Sequence, residues 1–311
     1  MSKPGSSSQR VTKKVFSKIV GDKLSNIPRE TLKLLETENF SYKIIKGEER
    51  DKLVLDIIKK IDAHDFLPRG KRKWVQGWRE ILKNFKKNKY DLRFLTPQYI
   101  KPGTQMRIFD EYVQPQSDDF ELNWYKAFRF WFFKKYLFKV DNIYEFGCGT
   151  GYNLIILNSL FPDKKLIGLD WVPESKTIAD QIAKTYKINT KGIIFDMLNP
   201  DKNLSIESNS AVITLGGLEQ LADNYNNFLD YLIKNKPKIC LHMEPLLDFY
   251  DENKLFDYLA LRFHLSRNYL GQFVKSLEKL ETEGRIEIIA KKKTIGSKFH
   301  DGYSYIVWRP K

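Results

Sequence analysis

The segment Ile143-Tyr144-Glu145-Phe146-Gly147-Cys148-Gly149-Thr150-Gly151-Tyr152-Asn153-Leu154-Ile155 constrains the fold more than any other part of the chain. An apolar run passes through three glycines at alternate positions into a second apolar run, which is the pattern of a buried strand, a tight turn and a helix. Glycines let the backbone approach a ligand closely, and the helix N-terminus offers unpaired N–H groups to it. The expected occupant is nucleotide-like. The dinucleotide fingerprint G-x-G-x-x-G would need its third glycine where Tyr152 stands, and its pyrophosphate would sit badly beside the acidic Glu145. The spacing here is G-x-G-x-G.

With Glu145 two residues before Gly147, the segment resembles motif I of the class I S-adenosylmethionine-dependent methyltransferases. The resemblance implies that Glu145 helps hold the cofactor's ammonium group and that Gly147, Cys148, Gly149 and Gly151 admit its methionine moiety. Further along, Lys165-Leu166-Ile167-Gly168-Leu169-Asp170 is an apolar run ending in a carboxylate. Asp170 at such a strand tip suits both ribose hydroxyls, with Trp171 placed to lie against the adenine or ribose. A third strand ends at Asp196-Met197, the position from which family members bond and flank the adenine. A fourth, running to Leu215, opens into Gly216-Gly217-Leu218-Glu219, where the resemblance places the floor under the sulfonium. No Asn-Pro-Pro-Tyr or Asp-Pro-Pro-Tyr signature follows it, which argues against the usual amino methyltransferases of adenine, cytosine and glutamine.

Strands and helices go on alternating to the end of the chain, so residues 141–311 are expected to form an α/β domain. Its sheet is expected to be doubly wound, seven-stranded and mostly parallel, with the seventh strand inserted between the fifth and sixth, as the resemblance implies. Residues 251–280 read as one long helical stretch. Residues 21–140 read as a mainly helical region that caps the substrate side, with helices near 29–38, 48–63, 71–89 and 119–138 and few strand signals. Residues 105–125 are the candidate gate, within which Arg107 is placed to pair with the cofactor carboxylate. Residues 1–20 read as a basic, flexible N-terminus.

Charge is divided unevenly. Residues 1–140 hold 31 Lys and Arg against 17 Asp and Glu, whereas residues 141–311 hold 22 of each, so the whole net charge of +14 lies in the N-terminal part. Its densest stretch, residues 69–93, opens on Arg69 and closes on Arg93. There Trp74, Trp78, Ile81, Leu82 and Phe85 fall at helical spacing and read as a core-facing stripe opposite a wet basic face. That face supports an alternative reading, an RNA methyltransferase that holds a polyanion. A second alternative is a non-catalytic binding protein with the same fold, against which the intact set Glu145, Asp170 and Asp196 speaks.

The favoured reading is transfer of a methyl group to a small polar acceptor, a sugar or natural-product hydroxyl or an amine. A hydroxyl needs a base. His242 and Glu244 at the end of the fifth strand, His300 and Asp301 in the loop between the last two strands, and Glu219 are expected to converge on the acceptor, since all belong to one sheet edge. No tight ligand spacing calls for a metal. Cys148 and Cys240 read as small buried residues. No apolar run reaches the roughly 18 residues of a membrane span. Residues 1–8 lack the apolar stretch of a secretory signal. The expected compartment is therefore the cytoplasm; the oligomeric state is left open.

Overall fold

The computed structural model describes residues 8–68 and 70–311. Its first part runs β1 (Gln9–Arg10), α1 (Lys13–Val20), α2 (Arg29–Thr37), β2 (Ser41–Ile44), α3 (Gly47–Asp62), α4 (Lys71–Lys87), β3 (Met106–Ile108), β4 (Glu111–Pro115) and α5 (Phe120–Leu137). The second runs β5 (Asn142–Phe146), α6 (Tyr152–Leu160), β6 (Lys165–Asp170), α7 (Pro173–Tyr186), β7 (Thr190–Ile194), β8 (Ser210–Leu215) and α8 (Asn226–Asn235). It continues with β9 (Ile239–Met243), α9 (Leu255–Arg267), α10 (Phe273–Thr282), β10 (Ile286–Lys292), β11 (Gly296–Ser297) and β12 (Tyr305–Pro310).

The large sheet has the order β10-β12-β9-β8-β5-β6-β7. Strands β5 to β9 are mutually parallel, and β12 runs antiparallel between β9 and β10. This is the expected order, with the final strand inserted between the fifth and sixth of the domain. Such a sheet needs an apolar layer on each face. One face carries α5, whose Phe120, Trp124, Phe128, Trp131, Phe132 and Phe133 are all buried. Each such ring contributes roughly 1.5–3 kcal/mol of hydrophobic stabilisation. The other face buries Phe228 and Leu232 of α8 and Val274 and Leu277 of α10 against Phe146, Val212, Ile306 and Trp308.

Four features depart from the sequence reading. A second, five-stranded sheet, β1-β2-β4-β3-β11, lies in the N-terminal part. Its last strand comes from the loop before β12, since Gly296 pairs with Arg107 and Ser297 with Met106, so the two parts of the chain share one ladder. Residues 105–125, read as a gate, are instead the β3–β4 hairpin and the start of buried α5. Residues 8–20, expected to be flexible, form β1 and α1, and α1 is capped by Thr12, buries Phe16 and ends on left-handed Gly21; residues 1–7 lie outside the described residues. The long helix expected over 251–280 is two helices, α9 and α10, separated where Asn268 and Gln272 take positive φ.

Candidate cofactor and acceptor site

The glycine turn follows β5 directly. Gly147, Gly149 and Gly151 all have positive φ, which only glycine adopts without strain. At Gly147 there is also no room for a side chain, because a Cβ there would stand 3.1 Å from the Cα of Gly217 in the loop after β8. At Gly149 a Cβ would stand 3.0 Å from the Trp78 ring. Helix α4 therefore lies across the turn. Its buried Ile81 and Phe85 pack against Ile178 and Ile182 of α7, while Lys83, Lys86 and Lys87 face solvent. The apolar stripe and wet basic face expected of this helix are both present. Arg69, the first residue of the basic stretch, lies outside the described residues.

Glu145 is buried at the end of β5. One oxygen, Oε1, accepts from Asn153 Nδ2 at 2.6 Å. The other, Oε2, has no partner among the described residues. Burial pushes this carboxyl up to about 8, against the smaller opposing pull of Asn153 and of the nearby Arg129 guanidinium. Asn153 is the hub of the site: its Oδ1 accepts from Arg129 Nε and from the Tyr125 hydroxyl, each at 2.6 Å. Arg129 is fully buried and stacks on the Tyr125 ring, and its Nη2 makes no hydrogen bond within 3.5 Å among the described residues, the Tyr99 hydroxyl lying nearby. The site thus holds an unpartnered carboxylate oxygen and an unpartnered guanidinium nitrogen, both positioned by the same asparagine. Buried polar atoms are seldom left so, because each costs about 1–3 kcal/mol when unpaired.

Asp170, at the tip of β6, accepts from the main-chain N–H of Gly149 and of Val172, both at 3.0 Å. It ties the glycine turn to the neighbouring strand, and burial raises its pKa. Trp171 is half-buried, with Lys71 Nζ 5.7 Å from its ring centroid. Asp196 accepts from the Leu198 N–H at 2.9 Å, and the Met197 methyl is 3.8 Å from where a Gly147 Cβ would be. Leu215 is buried at the end of β8, and buried Cys148 lies inside the turn. All these residues line one end of the parallel sheet.

The residues expected at the acceptor are distributed differently. His242 sits in the core between the rings of Phe273 and Trp308, with Nδ1 2.8 Å from Thr214 Oγ1, and burial pulls it down to about 3. Glu244 accepts from the main-chain N–H of Gly217, Leu218 and Glu219, so it anchors the loop after β8. Burial raises its pKa. His300 stacks on Phe263 and meets His264 edge-on. Asp301 takes Arg107 Nε at 3.2 Å. Arg107 itself is fully buried and also bonds Asp257 and the Phe256 carbonyl, so it is part of an internal ion cluster rather than a partner for a cofactor. Of the five candidates, Glu219 lies in the turn after β8, within electrostatic reach of the Tyr99 hydroxyl.

The loop before β12 does reach the site, but through Tyr303. Its hydroxyl donates to Glu121 Oε1 at 3.4 Å. Glu121 is buried, and desolvation pushes its carboxyl up to about 7. Glu121, Tyr125 and Arg129 are spaced four apart and share one face of α5. That helix precedes β5 and runs antiparallel to it, so its N-terminal end lies past the carboxyl ends of the strands. Neither Arg129 nor Glu121 stood out in the sequence, because the apolar residues around α5 hide any polar stripe; the i, i+4, i+8 spacing was the available signal. Among the described residues no group of His, Cys, Asp and Glu is arranged to hold a metal, and no helix is long and apolar enough to cross a membrane.

No protein-family model and no curated protein matches the sequence. Solved structures do. The PH0226 protein from Pyrococcus horikoshii OT3 is 18% identical over 58% of this chain and 86% of its own, with a TM-score of 0.40. A SAM-dependent methyltransferase from Aquifex aeolicus is 12% identical over 54% of this chain and 80% of its own, with a TM-score of 0.38. An O-methyltransferase from neocarzinostatin biosynthesis, solved with S-adenosylmethionine and a naphthoic acid, is 12% identical over 61% of this chain and 57% of its own, with a TM-score of 0.40. With its seven strands in this order and the last inserted antiparallel, the chain has the fold of the class I S-adenosylmethionine-dependent methyltransferases.

Proposed function

We propose that this protein is an S-adenosylmethionine-dependent methyltransferase acting on a small polar acceptor. The observation that carries the reading is the pair of unpartnered buried atoms around Asn153, Glu145 Oε2 and Arg129 Nη2. A carboxylate oxygen and a guanidinium nitrogen on either side of one amide complement the ammonium and carboxylate of a free amino-acid moiety, and charge-assisted bonds of this kind are the strong ones. Few nucleosides carry such a zwitterion. The remaining residues fit the rest of the molecule: Asp170 has lone pairs left for ribose hydroxyls, Asp196 and Met197 flank the adenine position, and Trp171 offers a face to it. Leu215 and the Gly216-Gly217 turn form the floor beside the reacting centre. The cofactor supplies an electrophilic methyl group. The protein's part is to align an acceptor with that group and keep water away, and the buried aromatic wall of α5 together with α4 across the turn serves both ends.

A small hydroxyl acceptor suits the polar pair Glu121 and Tyr303, with Tyr99 and Glu219 in electrostatic reach. Calorimetry with S-adenosylmethionine and its demethylated product tests the cofactor site, with Arg129→Ala and Glu145→Gln expected to weaken both by at least tenfold. Mass spectrometry of a cell extract incubated with the protein and methyl-labelled S-adenosylmethionine tests the transfer and names the acceptor. Absence of binding to either compound refutes the proposal.

A further inference from the structure

Resting on the reading above, we infer that Glu121 is the general base that takes the acceptor's proton, positioned by Tyr303, and that the acceptor atom is a hydroxyl oxygen. Three observations place it. Glu121 lies two helical turns beyond Arg129 on the same face of α5, about 12 Å along the axis at 1.5 Å per residue. That is about the reach from a bound amino-acid carboxylate, past the methyl group and an acceptor, to a base on the far side. Its side chain is buried, yet its one hydrogen bond among the described residues is the long contact from Tyr303, so lone pairs remain for a substrate. The alternatives are engaged elsewhere: His242 lies in the core, Glu244 holds three main-chain N–H groups, and His300 stacks on Phe263.

The surroundings of Glu121 suit the role. Tyr303 faces it from the loop before β12 and Tyr99, in the segment before β3, lies within electrostatic reach, while Tyr125 and Arg129 follow on its own helix. Glu219, after β8, lies within electrostatic reach of Tyr99. A carboxyl poised at about 7 is ionised enough to accept a proton and basic enough to hold it. The acceptor oxygen passes its proton to Glu121 as it bonds to the methyl carbon. The carbon–sulfur bond breaks with its electron pair on sulfur, leaving a methyl ether, a neutral thioether and a protonated Glu121 that returns its proton to solvent.

Glu121→Gln keeps the size of the side chain and an acceptor for Tyr303. Three readouts separate the outcomes. Binding of S-adenosylmethionine by calorimetry is expected to stay within twofold of the wild type. Transfer of labelled methyl to the acceptor in cell extract is expected to fall at least 100-fold, and, at saturating S-adenosylmethionine across the pH range, the rise of the wild-type rate through about pH 7 to vanish. In the protein without cofactor, the folded-to-unfolded ratio of the wild type relative to Glu121→Gln is expected to fall about tenfold per pH unit between about pH 5 and 7 and then level off. Tyr303→Phe, which removes the bond that favours the ionised carboxylate, is expected to move the acid limb of the rate profile upward while leaving cofactor affinity alone. Near-normal transfer by Glu121→Gln overturns the inference and leaves the proposed function standing. Failure of the wild type to bind the cofactor or to methylate anything removes both.

Discussion

The buried Glu145 makes a sharp prediction, because a carboxyl in the core with one oxygen unpartnered must destabilise the protein as it ionises. Its folded value of about 8 lies above the ordinary 4.5. A raised carboxyl is protonated in the folded chain and ionised in the unfolded one between those two values, so its contribution to stability is lost as pH rises through that window. At 1.36 kcal/mol per unit, the cost is about 1 kcal/mol at pH 5.5, about 3 kcal/mol at pH 7 and about 4–5 kcal/mol at pH 9. Glu145→Gln removes the titration. The amide keeps the Asn153 bond but brings N–H groups that face Arg129, which adds a penalty independent of pH, so the informative quantity is the pH dependence of the difference. Urea unfolding of both proteins at pH 5.5, 7 and 9 is expected to show the variant gaining about 3 kcal/mol on the wild type across that range. The same residue governs binding: only the ionised form attracts an ammonium, so wild-type affinity for S-adenosylmethionine should rise about tenfold per pH unit from about pH 6 to 8 and be flat and weak in the variant. A stability difference that does not change with pH refutes the argument, whatever happens to binding.

Other perturbations follow from the same geometry. Asp170→Asn replaces an acceptor of two main-chain N–H groups, and should lower cofactor affinity by about 2 kcal/mol, read by calorimetry. His242→Gln should leave cofactor binding intact. The wild-type His242, held near 3 against an ordinary 6.5, remains neutral when folded, so stability is lost as pH falls below 6.5; relative to the variant, the wild type should lose about 2 kcal/mol between pH 7 and 5, measured by urea unfolding. Arg107→Ala strands the buried Asp301, while Asp257 keeps Lys293, and should cost about 3–5 kcal/mol of stability; calorimetry on the folded fraction should find cofactor affinity unchanged, whereas a tenfold loss would restore Arg107 to the cofactor site. Reversing charge at the exposed Lys83, Lys86 and Lys87 should leave methyl transfer to a soluble acceptor unaltered, whereas loss of salt-sensitive RNA association and of transfer together would favour a polyanionic substrate.

What was legible in the chain was local. The turn at Gly147, Gly149 and Gly151 is written in residue types because positive φ and a close backbone approach select glycine whatever the surroundings. The strands ending at Phe146, Asp170 and Leu215 announce themselves by apolar runs with a polar or glycine stop, and α4 by a stripe at helical spacing. The β3–β4 hairpin did not, since its two-residue turn is Phe109-Asp110, both at positive φ, without the glycine that signals such turns.

The rest depended on distance in space. Whether the carboxyl and imidazole groups at one sheet edge meet is decided by side-chain direction and by what covers each face. His242 points into the layer under α10, and Asp301 is drawn to Arg107, nearly two hundred residues away. Conversely, Glu121 and Arg129 looked like stray charges in an apolar helix, and acquired meaning only when packing put one beside Tyr303 and the other beside Asn153. The sequence alone determined the glycine turn and the order of strands and helices around the large sheet, because short-range sterics and periodicity suffice for those; the surroundings of Glu121 and Arg129 were decided by tertiary packing, because the burial that sets a carboxyl's proton affinity is a property of the assembled core.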